Sequence, residues 1–165
     1  MKTFPLLPWL LSFFAFVHSG FGDDKQNGLQ VAVTKSTLSR DDQRNGFLYY
    51  GDHLDRTQGL KVTITNASFD PMSEGEVEWE ILVHKYESTR IVSYHGTEAL
   101  KALGKAQSVE MTIGAVPIEG YHYGTATTMD KLDWQIVVKR GGVEVFRSAS
   151  TPNFAALEKR ASKSR

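Results

Sequence analysis

Three glutamates at alternate positions, Glu76, Glu78 and Glu80, share the stretch GEVEWEILVHKY with Trp79 and His84. Carboxylates and imidazoles bind divalent metals and move protons, so this is the first place to look for a reactive centre. Its spacing argues otherwise. Alternate residues of a strand share a face, which sets the glutamates on one side and Val77, Trp79, Ile81 and Val83 on the other. Neighbours on one face stand about 7 Å apart, twice the rise per residue. That is too far for two of them to hold one metal ion without a third ligand from another strand. A carboxylate pair for glycoside hydrolysis needs a cleft and one raised pKa, and an open ladder supplies neither. The glutamates read as the wet face of a strand, and Trp79 as a core residue.

Past the opening segment the histidines are His53, His84, His95 and His122, with no His-x-x-x-His pair and no clustered ligand spacing. Whether Glu80 meets His95 depends on the turn after Tyr86. A three-residue loop, Glu87 to Thr89, sets His84 across from Val92 and turns His95 to the opposite face. A two-residue loop places Glu80 across from His95, because a one-residue change of register moves every side chain to the other face. The chain has no cysteine, which excludes thiol catalysis and thiolate metal sites. It also lacks a Gly-x-Ser-x-Gly elbow, a phosphate-binding glycine loop and a dinucleotide fingerprint. No catalytic, cofactor-binding or metal-binding residue is assigned, and the chain is expected not to be an enzyme. A small hydrolase or metal-dependent enzyme is the less favoured alternative.

Aromatic residues carry more information. Tyr121, His122 and Tyr123 lie between two glycines in GYHYG, within a stretch from Pro117 to Met129 that reads as a long loop. Tyr49 and Tyr50 lie in an earlier polar connection, residues 37–59. Such side chains offer flat, rigid contact area to a sugar ring or a protein partner, and these five form the candidate contact surface. The competing reading folds one tyrosine back onto the end of the domain. A carbohydrate-binding module would need the aromatics exposed in a row on one face.

The elements that must position these groups follow from period-two alternation. LQVAVTKS places Leu29, Val31 and Val33 on one face, and LKVTITNAS does the same with Leu60, Val62 and Ile64. RIVSYHG, SVEMTIGA, KLDWQIVVK and VEVFRSAS complete the set, the last two joined by a hairpin at Arg140-Gly-Gly. DDKQNG reads as a polar lead-in, and residues 98–105 as one helical turn. In the last hairpin Trp134, Ile136 and Val138 line one face while Val137 and Phe146 line the other. That second face needs a cover. A C-terminal helix, capped at Thr151-Pro152 and presenting Phe154, Leu157 and Ala161, is the nearest. A partner, or a second copy forming a homodimer, is the alternative. About seven short strands without intervening helices predict an all-β, immunoglobulin-like antiparallel sandwich with a short C-terminal helix, an eight-stranded barrel being second choice.

The start of the chain stands apart. Lys2 precedes a nearly unbroken apolar run, FPLLPWLLSFFAFV, and small residues lead to Asp23-Asp24. This is the pattern of a secretory signal peptide, too short for a membrane span, with cleavage expected after Ser19 or Gly22. The expected division is a signal peptide at 1–22, a sandwich domain at 23–152, and a short helix with a basic tail at 153–165. The chain is expected to be secreted, periplasmic or extracellular. Lys2 is the one basic residue of the signal segment among 19 in a chain with 19 acidic residues. The exported part is thus near neutral, and nucleic acid is disfavoured as a partner. A protein or glycan partner is expected instead. Asn66-Ala-Ser68 has the form of a glycosylation sequon.

LKVTITNAS followed by GEVEWEILVHKY resembles the early strands of bacterial extracellular immunoglobulin-like or fibronectin type III-like modules, and KLDWQIVVKRGGVEVFRSAS resembles their closing hairpin. The resemblance spans residues 29–150 and departs from antibody-type domains in lacking paired cysteines. It implies a sandwich that binds, spaces or presents, and transfers no catalytic residues.

Overall fold

A computed structural model describes residues 22–43 and 51–163. The expected signal peptide, apart from Gly22, and the island holding Tyr49 and Tyr50 lie outside the described residues. Nine strands run in the order β1 (Gly22–Gln26), β2 (Leu29–Gln43), β3 (Asp52–Asn66), β4 (Gly75–His84), β5 (Ile91–Leu100), β6 (Ser108–Tyr123), β7 (Ala126–Met129), β8 (Lys131–Arg140) and β9 (Val143–Ala149). Helix α1 (Phe154–Lys163) follows. They form two antiparallel sheets, β1-β2-β3-β6-β7 and β5-β4-β8-β9, an all-β sandwich. No described helix is long and apolar enough to cross a membrane.

The alternating residues meet between the sheets. Leu29, Val31, Val33, Leu60, Val62 and Ile64 face Val77, Ile81, Val83, Trp134, Ile136 and Val138 in one continuous core. Trp79 packs partly buried against it, its indole lying over Gly96, where any Cβ would come within 2.5 Å of the ring.

Several expectations need correction. The described residues hold nine strands where about seven were expected, because the presumed lead-in is an edge strand, β1, and the presumed loop before Asp130 contributes β7. Asn27-Gly28 closes a two-residue hairpin between β1 and β2, and Asn-Gly is the preferred pair for that turn. Residues 37–59 are mostly strand. The ends of β2 and β3 pair from Thr37–Gln58 out to Gln43–His53, their side chains too polar to signal it. Pro117–Met129 is the β6–β7 hairpin. The segment after Glu98 stays extended to Leu100, and Leu103 bridges to Met72.

At the last hairpin, Arg140 pairs with Val143 and Lys139 with Glu144, but a bulge then sets Phe146 opposite Val138. Phe146 therefore faces the sandwich core, not the outer face assigned from alternation alone, because one extra residue in a strand reverses the phase beyond it. The helix does cover the outer face. Phe154 and Ala161 are buried against Leu82 and Ile91, with Leu157 and Ala149 beside them. Its cap lies two residues later than expected: the Asn153 carbonyl accepts the first helical bond from Leu157 N–H at 3.2 Å, and Thr151-Pro152 forms the preceding turn.

Candidate functional site

The five-stranded sheet is longer than its partner. β2, β3 and β6 have 15, 15 and 16 residues, whereas β4, β5 and β8 have 10 each. At about 3.3 Å per residue, the long strands outrun the opposite sheet by some five residues. The end of the sandwich is fixed by Asp130, whose side chain is fully buried. Its carboxylate accepts from Lys85 Nζ at 2.8 Å, Tyr86 N–H at 2.9 Å and Glu119 N–H at 3.1 Å, tying the β4–β5 turn to β6. Past this clamp β3, β6 and β7 continue as an arm, with the end of β2 paired along β3.

GYHYG forms the end of that arm. Because it is strand, Tyr121 and Tyr123 share one face, 38% and 59% exposed, and His122 takes the other, bonded through Nδ1 to Thr127 Oγ1 at 2.7 Å. The register sets His53 of β3 and Thr128 of β7 on either side of Tyr121. Tyr121 is held in place. Its hydroxyl accepts from Gly51 N–H at 2.9 Å, and its ring lies so close to Gly51 that a Cβ there would meet it at 2.6 Å. His53 Nδ1 and Asp55 Oδ2 lie 3.2 Å apart on the same face, both nearly half exposed. Nothing in the sequence sets His53 and Asp55 apart as a pair beyond their alternate spacing about Leu54, and that signal is hidden in a mostly polar run.

The glutamate stretch behaves as its spacing demands. Glu78 pairs with Lys139 Nζ at 2.5 Å across the sheet face, and that hydrogen bond above all raises the lysine's pKa. Glu80 does lie across from His95, and Ser93 Oγ donates to Glu80 Oε1 at 2.8 Å. The connection is a four-residue loop closed by Lys85 N–H to the Arg90 carbonyl at 3.1 Å. It has the same parity as a two-residue turn. With Glu158 and Ser162 of α1 they line a shallow cleft of about 230 Å³. Among the described residues no group of three or more His, Asp or Glu is arranged to hold a metal ion.

One constellation invites a catalytic reading. His84 Nε2 lies 2.9 Å from Asp133 Oδ2, and Ser150 Oγ donates to Asp133 Oδ1 at 2.9 Å. Nucleophilic serine chemistry requires the imidazole between hydroxyl and carboxylate, to take the hydroxyl proton. Here the carboxylate is in the middle. Ser150 also accepts from Trp134 N–H at 2.9 Å, so it locks the chain into α1 onto β8.

No family model matches this chain, and no curated protein does. A crystal structure from Akkermansia muciniphila aligns with 13% identity and a TM-score of 0.32, over 81% of this chain and 76% of that one. A score of that size does not amount to a shared fold.

Asn66, the sequon residue, is completely buried. Its Nδ2 donates to the carbonyls of Asp70 at 2.8 Å, Gly104 at 3.1 Å and Leu103 at 3.3 Å, while its Oδ1 accepts from Ser68 N–H and Oγ. It organises the β3–β4 connection and presents no amide to a transferase.

Proposed function

We propose that this chain is an exported, non-catalytic sandwich module of the immunoglobulin-like kind, which binds a protein or glycan through the arm formed by β3, β6 and β7. The carrying observation is that Tyr121 and Tyr123 stand exposed on one face beyond the buried Asp130 clamp. Exposed aromatics set on a paired strand are rigid contact area at low entropic cost. Export rests on the signal pattern of residues 1–22. The immunoglobulin-like reading rests on the strand order, with β4, β8 and β9 in one sheet and β2, β3 and β6 in the other, the Greek-key arrangement of such domains. The order of Ser150, Asp133 and His84, with the carboxylate in the middle, supports the non-catalytic reading.

A thermal-shift screen of the exported protein against glycans, peptides and divalent metals tests it, followed by hydrogen exchange on any complex. Stabilisation by a glycan or peptide, with protection at residues 117–128, is expected. Stabilisation by metals alone would sink the proposal.

A further inference from the structure

The same face carries the chemistry of one ligand class, and we propose that it binds a neutral oligosaccharide, an inference that rests on the arm being the contact surface. Tyr121 and Tyr123 are two residues apart on one face, so their Cα positions are about 7 Å apart along the strand. Exposed aromatics in a row are what successive sugar rings stack upon through their C–H faces. The Gly51 contact fixes Tyr121 before any ligand arrives, which lowers the ordering cost of binding. Across β7, Thr128 lies opposite Tyr121 and Ala126 opposite Tyr123. Both are small, so the rings stand above a low floor open to a flat ligand.

Hydroxyl recognition needs a few placed polar groups beside the stacking surface. His53 lies directly across from Tyr121, and Asp55 two residues further along the same face. Their imidazole and carboxylate, 3.2 Å apart and nearly half exposed, offer adjacent groups suited to neighbouring sugar hydroxyls.

Charge narrows the class further. The positions sharing this face in residues 39–41, 53–57, 117–123 and 126–128 include Asp41, Asp55 and Glu119 but neither lysine nor arginine. Lys85 reaches Glu119 from the other sheet, at 3.1 Å, with its ammonium already bonded to the buried Asp130. An acidic polysaccharide or nucleic acid would therefore be repelled. These positions also hold no leucine, isoleucine, valine, methionine or phenylalanine. The deep apolar anchors of a helix or peptide groove are thus missing, which favours a sugar over a protein.

The test titrates the exported protein with cellohexaose, chitohexaose and maltohexaose by calorimetry, with heparin as the anionic control. Saturable binding to at least one neutral hexamer and none to heparin is expected. Tyr123→Ala and Asp55→Asn should each weaken it at least tenfold without lowering Tm, and Tyr123→Phe should keep it. Failure of all three hexamers to bind, or binding that Tyr123→Ala leaves unchanged, overturns the proposal. A peptide that protects residues 117–128 when no hexamer binds overturns the glycan while leaving the arm as the contact surface. A ligand protecting only another face overturns both.

Discussion

Trp79 and Glu78 are adjacent in sequence and opposite in consequence. The indole packs against the core and over Gly96, so Trp79→Ala should cost about 3 kcal/mol or more in chemical denaturation. Glu78→Gln removes one partly exposed ion pair with Lys139 and should cost less than about 1 kcal/mol. A loss from the glutamate change as large as that from the tryptophan would mean the face is not solvated. Arg140 presents the reverse case. All three of its guanidinium nitrogens are buried without a hydrogen-bond partner among the described residues, and burial pulls its pKa down. Arg140→Met should leave Tm unchanged or raise it, because a buried charge without a partner costs more than an apolar side chain of similar length.

At the scale of elements, the Asp130 clamp ties the β4–β5 turn to β6, and α1 covers Leu82 and Ile91 on the strands beside that turn. Asp130→Asn leaves Lys85 without its buried counter-charge and should cost about 3 kcal/mol. The clamp also sets an alkaline limit. Burial lowers the Lys85 pKa, but the hydrogen bonds to Asp130 and Glu119 outweigh it and the net shift is upward. A raised folded pKa means that the stabilisation is fully present below the unfolded value near 10.5 and is lost as pH rises through the folded one. Tyr86, pushed up to about 12 chiefly by its hydrogen bond to Glu87, adds in the same direction. Stability should therefore fall between about pH 10 and 12, and Lys85→Met should flatten that fall in thermal melts. The helix is legible in sequence because Phe154, Leu157 and Ala161 recur at helical spacing. A stop after Ser150 would uncover Leu82 and Ile91, and light scattering should show the truncated protein associating or unfolded. The phase of Phe146 was not legible, since nothing in VEVFRSA marks which residue the bulge leaves out of the ladder.

For the whole molecule, the place where β1 begins bears on processing. Gly22 pairs with Val33, so cleavage after Ser19 would keep this pairing while cleavage after Gly22 would remove it. If the chain is exported as proposed, N-terminal sequencing of the released protein should give Gly20, and a start at Asp23 would contradict this. The sequence by itself determined the class of fold and most of the core, Phe146 excepted among the strands it read. Period-two alternation of Val, Ile and Leu is a local property, and burying one face of each strand permits little besides packed antiparallel sheets. It also ruled out thiol chemistry and placed the glutamates in water. Only the tertiary structure decided that the polar stretches on either side of residues 44–50 and the presumed loop at 117–129 are the paired ends of long strands. Backbone ladders do not depend on side-chain hydrophobicity, so a strand whose far end leaves the core loses its sequence signal while keeping its hydrogen bonds. The same reason governs the candidate site. Tyr121, Tyr123, His53 and Asp55 come from two segments about 70 residues apart, and only the register between β3 and β6 brings them to one face.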